Sequence, residues 1–252
     1  MPEFNYSDKQ IEALFRGIWS GAINIYKLPK NLYKTTYNYL NEAFDPTIDR
    51  ELLQHLRNNV YMFSGAKTFN QVRDMQALLT EDNVKLDYKT FRDRVKATYT
   101  NYNAGYLETE YVTAVTAGSN AITWRETWRD RKLFDRLRYV AINDANTSEI
   151  CKRLDGTIAA TTDPFWRIHT PPNHFNCRCH IEKLSVYDDD KVTPPGTMSD
   201  ITAFTDKHMQ PAFRFNSGIT QTAFSKSHPY FQVPKKYIPW AKKNFGLAIP
   251  RD

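Results

Sequence analysis

The chain has 252 residues, 41% of them hydrophobic and 25% charged, an ordinary composition for a globular protein with a core of its own. Only nine are Gly, and neither a GxGxxG nor a GxxxxGKS/T pattern occurs, which excludes the glycine-rich phosphate cradles of dinucleotide and P-loop enzymes. The net charge is +6, but Lys207 to Arg251 holds eight basic residues and no acid, leaving 26 basic against 28 acidic residues elsewhere, a net of −2.

No run of about 18 apolar residues exists, so no membrane contact is expected. Met1-Pro2-Glu3-Phe4-Asn5-Tyr6 lacks the basic-then-apolar order of a secretory signal. Three Cys late in the chain make no disulfide framework, so maturation in a reducing cytoplasm is expected.

In chain order, Ser7-Asp8-Lys9-Gln10 has the form of a capping box, followed by Ile11, Leu14, Phe15, Ile18 and Trp19 at helical spacing. Pro29 ends that run, and Leu32, Tyr33, Tyr37 and Leu40 predict a second helix. Asp45-Pro46 reads as a cap with Pro at the first helical position, leading into Ile48, Leu52, Leu53, Leu56 and Val60. Val72, Met75, Leu78 and Leu79 predict a further short helix. These stripes read as core-facing surfaces.

From Asp87 an amphipathic helix carries Tyr88, Phe91, Val95, Thr98, Tyr99 and Tyr102, with an interruption expected at Gly105 and a second helix ending near Gly118. Trp124 to Arg138 holds six Arg or Lys and three Asp or Glu. Mixed signs suit a solvated face, whereas a phosphate-binding footprint should be one-signed.

Tyr139-Val140-Ala141-Ile142 reads as a strand, Asn143 to Ser148 as a turn cluster, Asp155-Gly156 as a hairpin-type turn, and Cys177 to Ile181 as another short strand. Asp188-Asp189-Asp190 and Pro194-Pro195-Gly196 mark a linker, and the tail beyond reads as extended, with weak helical character from Ile238 to Phe245. The expectation is an α+β protein: a mainly helical N-terminal region (1–86), a small α+β domain with a few short strands (87–186), and an extended, basic, aromatic-rich tail (187–252).

On a strand, residues two apart share a face, so Cys177 and Cys179 point one way and Arg178 and His180 the other. His174, three residues before Cys177, can fold over from a loop fixed by Pro171 and Pro172. With Cys151 from across the turn, this gives a Cys151, His174, Cys177, Cys179 set of the kind that holds tetrahedral zinc. A second reading uses the same residues without metal: the cysteines are small core residues and His174 bonds a backbone carbonyl to fix the loop. A Cys177 nucleophile with His174 as base is disfavoured, because nothing in the spacing favours Asn176 or Asp144, the nominal candidates, as the orienting third group, and Cys177 opens a strand, not a helix. Arg178 is expected to pair with a carboxylate such as Asp144 or Asp155.

The order Asp144, Thr147, Cys151, Asp155-Gly156 and then Pro171-Pro172-Asn173-His174-Phe175-Asn176-Cys177-Arg178-Cys179 resembles the phage Mu F-like minor head (head morphogenesis) family. The resemblance covers roughly residues 87–185. Members often carry a CxxC in the first cysteine stretch, where this chain has Ser148-Glu149-Ile150-Cys151, so a four-thiolate site is absent. The resemblance implies a non-enzymatic virion component acting in head assembly, DNA packaging or ejection. Its expected place is the head interior or portal vertex, after a stay in the host cytoplasm. Implied partners are the portal protein, a scaffold or the major capsid protein. The tail adds two alternatives: Phe213, Phe215, Phe224, Tyr230, Phe231, Tyr237, Trp240 and Phe245 as docking anchors, favoured here, or a nucleic-acid-binding module contacting packaged DNA through phosphates.

Overall fold

The computed structural model describes residues 1–239. The helical reading of Ile238 to Phe245 and the tail residues Trp240, Lys242, Lys243, Phe245 and Arg251 therefore fall wholly or largely outside the described residues. The fold is α+β with a helical N-terminal part. Two compact units form, each discontinuous along the chain: Met1–Glu42, Arg57–Thr109 and the chain from Pro229 onward make the first, and Ala43–Leu56 with Glu110–His228 the second.

The first unit is helical. The Ser7 capping box forms in full and opens α1 (Asp8–Ser20), and Pro29 precedes α2 (Lys30–Asn41). Asp45 does not cap the next helix; its carboxylate accepts from the Thr47 amide and hydroxyl in a local turn. The cap of α3 (Arg50–Ala77) is Asp49, whose carboxylate accepts from Leu52 N. Two helices were expected between Ile48 and Leu79, yet α3 runs unbroken for 28 residues. Its middle looks like a break because Ser64, Lys67, Thr68, Asn70 and Gln71 disrupt the apolar period, but all five are buried.

A hairpin of β1 (Thr80–Glu81) and β2 (Val84–Lys85) follows, turning at Asp82 and Asn83, both at positive φ. Asp and Asn tolerate that region best among residues with a side chain. Asp87 then caps α4 (Tyr88–Thr100), and Leu14, Phe15, Ile18, Leu32, Met75, Phe91 and Val95 form the core. Gly105 does not break the chain's helical course. Asn101–Gly105 is a π-helical stretch that leads into α5 (Tyr106–Arg129), which continues past Gly118 to the charged segment.

The second unit is built on an antiparallel sheet ordered β4-β3-β5, with β3 Arg136–Val140, β4 Ile158–Ala160 and β5 His180–Leu184. The central strand β3 and the edge strand β5 begin at other residues than the sequence reading. β3 starts three residues before Tyr139, inside the charged segment, and β5 starts at His180, so Cys177 to Cys179 form the extended approach to the strand. Between β3 and β4 lies α6 (Glu149–Leu154), capped by Ser148, and Gly156 at φ 72° makes the turn from α6 into β4, so Asp155-Gly156 closes a helix and not a hairpin. A short α7 (Trp166–His169) follows.

The expected linker and extended tail are not found in residues 195–228. Pro195 opens α8 (Pro195–His208), using the tolerance of proline at a first helical position. Ala212, Phe213, Phe215, Ala223 and Phe224 are buried. Phe215 sits two residues before the α9 turn (Ser217–Thr220) and Phe224 four after it; in that turn Gly218 lets the backbone approach Trp124, where a Cβ would lie 2.5 Å from the indole. Pro and polar residues hide any period among Phe213, Phe215, Phe224 and Phe231, which in the fold are buried.

One edge of β5 pairs with β3, in the register Val140 to His180 through Arg136 to Leu184. The other edge is met by side chains of α5. Thr116 Oγ1 donates to Cys177 O (2.6 Å), Asn120 Nδ2 donates to Cys179 O (3.2 Å), and Asn120 Oδ1 accepts from Ile181 N (2.9 Å). Asn120→Ala removes partners from two buried backbone groups, each costing about 1–3 kcal/mol when orphaned. The expected loss, about 2–4 kcal/mol in denaturant unfolding, exceeds that of a surface substitution; a loss within about 0.5 kcal/mol would refute this account of the edge.

His169 gives a pH dependence. Its Nδ1 donates to Phe165 O (3.0 Å), and its Nε2 faces Thr205 Oγ1 (2.8 Å). Burial holds its pKa below the ordinary 6.5. Between the folded pKa and 6.5 the unfolded chain binds a proton that the native chain refuses. The contribution is therefore full above about 6.5 and is lost as pH falls through the folded value. Unfolding midpoints should drop on acidification through this window, and His169→Gln should flatten the slope; an unchanged slope rules His169 out as its source.

A buried cysteine and histidine cluster as candidate site

The second unit's core gathers Leu137, Tyr139, Cys151, Leu154, Ala159, Trp166, Cys177, Cys179 and Ile181. Each cysteine arrives there for a local reason. Ser148 Oγ accepts from Cys151 N (3.2 Å), so the residue standing where the resemblance suggests a first Cys is occupied as a helix cap, and the cap fixes Cys151 on the inner side of α6. Cys177 and Cys179 are buried while Arg178 and His180 are exposed, the alternation expected of extended chain. All three thiols are free.

The loop before Cys177 is held by Asn173, whose buried amide lies within hydrogen-bonding distance of Ile168 O and Thr170 O. The Pro171-Pro172 bond is cis, and Asn176 takes φ 60°. His174 Nδ1 lies 2.6 Å from Phe175 O; a carbonyl only accepts, so Nδ1 carries the proton and Nε2 keeps its lone pair. Arg178, on the outer face, pairs with Asp144 at 2.8 Å. Asp155 instead accepts from Ala141 N and Asn143 Nδ2. With both side chains over a third exposed, the Arg178–Asp144 pair contributes no more than about 1 kcal/mol, and its work is to orient the turn.

Of the four residues anticipated as one set, Cys151, His174 and Cys177 bring a donor atom each to within 4.8 Å of one another. Cys179 stands outside that group but hydrogen-bonds with both other thiols. The Cys151 and Cys177 sulfurs are 3.7 Å apart, far beyond the roughly 2.05 Å of a disulfide. Tyr139 Oη lies 3.1 Å from Cys151 Sγ.

The thiols titrate as a set. Hydrogen bonds to Cys177 and Cys179, then burial, push Cys151 up. Cys151 pulls Cys177 down, but Cys179 and burial outweigh it and leave Cys177 at about 11. Cys179 is lowered, because Cys151 and Cys177 donate to it and the Ile142 backbone and Tyr139 add further bonds. Burial, then the neighbouring thiols, hold the Tyr139 phenol well above its usual range. Tyr139, Thr116, Asn120 and Asn173 were not singled out from sequence. A Tyr inside an aliphatic strand is a signal of a buried hydroxyl partner; Thr116 and Asn120 carry no such signal.

The fold and site together define a small α+β domain closed by a cysteine and histidine cluster, with the PPxHxxCRC segment as its latch. Residues 65–182 match the family described as Phage Mu protein F like protein. Over 50 residues, 20% of this chain, it is 46% identical to the Mu-like prophage FluMu F protein of Haemophilus influenzae. Over 53 residues, 21% of the chain, it is 40% identical to the putative capsid assembly protein F of Escherichia phage Mu. Each match spans 12% of the relative's own length. No solved structure matches the chain.

Thiol chemistry checks this geometry. Nucleophilic cysteines need an exposed, lowered-pKa thiolate, and Cys151 and Cys177 are fully buried with raised pKa values. Under native conditions all three should resist alkylation by a maleimide and react together on unfolding. Rapid native labelling of Cys177 would contradict the cluster as described.

Proposed function

We propose that this protein is a structural component of phage or prophage head assembly, present in the virion head at the portal vertex in few copies and contacting other head proteins. The observation that carries this reading is the Mu F-like match over residues 65–182, together with a relative named for capsid assembly. The cluster supports a non-catalytic role, since a sealed Cys177 with a pKa near 11 offers neither substrate access nor a ready nucleophile.

The docking surface shifts from the one anticipated. Phe213, Phe215, Phe224 and Phe231 are buried within the chain's own fold and are withdrawn as partner anchors. In the second unit, an open groove of about 1130 Å³ is lined by Trp124, Trp128, Arg129, Arg167, Phe215 and Ile219, among others. Trp128 and Ile219 are exposed there, an apolar centre with a charged rim that suits a protein segment.

The nucleic-acid alternative is weaker. Arg125 faces Asp49 and Glu51, Arg129 pairs with Asp130, and Arg214 with Asp206, so these cations are already matched by carboxylates. A phosphate footprint should be one-signed and should lose affinity steeply with salt.

Deletion of the gene in the phage that encodes it should abolish infectious particles or leave aberrant heads, and mass spectrometry should find the chain in purified heads at far lower copy than the major capsid protein. Absence from both procapsids and mature heads, with normal particle yield after deletion, would overturn the proposal.

A further inference from the structure

We propose that Cys151, Cys177, Cys179 and His174 form a structural zinc site that ties α6, the loop after α7 and the approach to β5 into one unit. Three independent observations converge on it.

The first is the spacing of the sulfurs. Zinc–thiolate bonds of about 2.3 Å at tetrahedral angles place two sulfurs about 3.8 Å apart. Cys151 and Cys177 stand at 3.7 Å, one edge of that tetrahedron, and Cys179 is buried in the same core cluster. A ring nitrogen of His174 comes within 4.8 Å of the first two sulfurs. Closing the site therefore asks for movement mainly of His174, the one donor that is only half-buried and lies on a loop.

The second is the orientation of the imidazole. A zinc-bound histidine usually gives its other ring N–H to a carbonyl or carboxylate, which fixes the tautomer. The Nδ1 bond to Phe175 O does this and leaves Nε2 as the available donor.

The third is charge. Three thiolates and one neutral imidazole around Zn²⁺ carry a net −1, and burying it requires hydrogen-bond donors at sulfur. One such donor stands at the cluster: the Tyr139 hydroxyl, 3.1 Å from Cys151 Sγ. Soft thiolate with imidazole in a closed four-donor set selects zinc over magnesium, calcium or manganese. Binding exchanges the thiol protons for the metal and releases them to solvent, with no redox change. The donors come from separate segments, Cys151 and Cys177 being 26 positions apart, so the metal would cross-link the sheet to its helices.

The test uses the full chain purified under reducing conditions. Elemental analysis should find about one zinc per chain. Replacing it with Co²⁺ should give thiolate-to-metal charge-transfer absorption and the intense visible bands of tetrahedral cobalt. A strong chelator should lower the melting temperature, and added Zn²⁺ should restore it. His174→Ala removes a half-buried loop side chain and should still fold. It should weaken Co²⁺ binding by more than the about 10–100-fold that follows loss of an outer-shell partner, and should alter the visible bands. Cys177→Ser should abolish binding. The proposal fails if folded, metal-free protein takes up no Co²⁺ and its melting temperature ignores chelator and zinc. It fails equally if one zinc is retained with unchanged affinity in both variants. These readouts are independent of whether the protein acts in head assembly.

Discussion

The open edge of β5 is the constraint around which the second unit is arranged. A strand has two rows of backbone donors and acceptors, and a buried row left unpaired is costly. β3 satisfies one row; the other meets a helix, which has no backbone groups to offer sideways. Thr116 and Asn120 solve this with side chains. They lie four residues apart, about 6 Å along a helix axis, and Cys177 and Cys179 lie two apart, about 6.6 Å along extended chain. The two repeats match, so one helix face can serve alternate carbonyls. The Asn120 amide has both a donor and an acceptor, and uses both on the strand, at Cys179 O and Ile181 N.

From that match the position of the cysteines follows. Residues whose carbonyls face α5 are Cys177 and Cys179, and their side chains share the inner face with Leu137, Tyr139 and Ile181. Arg178 is forced outward, where it reaches Asp144. The Ser148 cap sets α6 so that Cys151 arrives at the same point. Three thiols therefore meet because a strand edge, a helix cap and a side-chain ladder each place one or two of them, and none of these devices depends on the sulfur.

What was legible in the sequence was local. The Ser7 box, the Asp87 cap, the inward and outward alternation across Cys177 to His180, and the Arg178–Asp144 pair all depend on neighbours within a few residues or on one charge match. What was not legible depended on burial. α3 hides its continuity because polar residues such as Ser64, which returns its hydroxyl to Val60 O, and Asn70, which bonds Ala66 O and Tyr230 O, are satisfied inside the protein. Pro194-Pro195-Gly196 has the composition of a linker, yet the second Pro begins a helix. The tail aromatics beyond it have no period because they are placed one at a time by tertiary contacts, such as Phe213 edge-on to Phe175.

The signature segment can now be accounted for position by position, and this bears on where function lies. Pro171, Pro172 and Asn173 are buried, His174 presents an imidazole to the thiols, Asn176 adopts a left-handed conformation, Cys177 and Cys179 point inward, and Arg178 pairs outward. Each defined residue has a folding task. Such a segment can be kept by the demands of closing one small domain, with or without metal, across proteins whose remaining length differs. Under the proposed head-assembly role, partner recognition resides in surfaces that the latch holds in place but does not itself form.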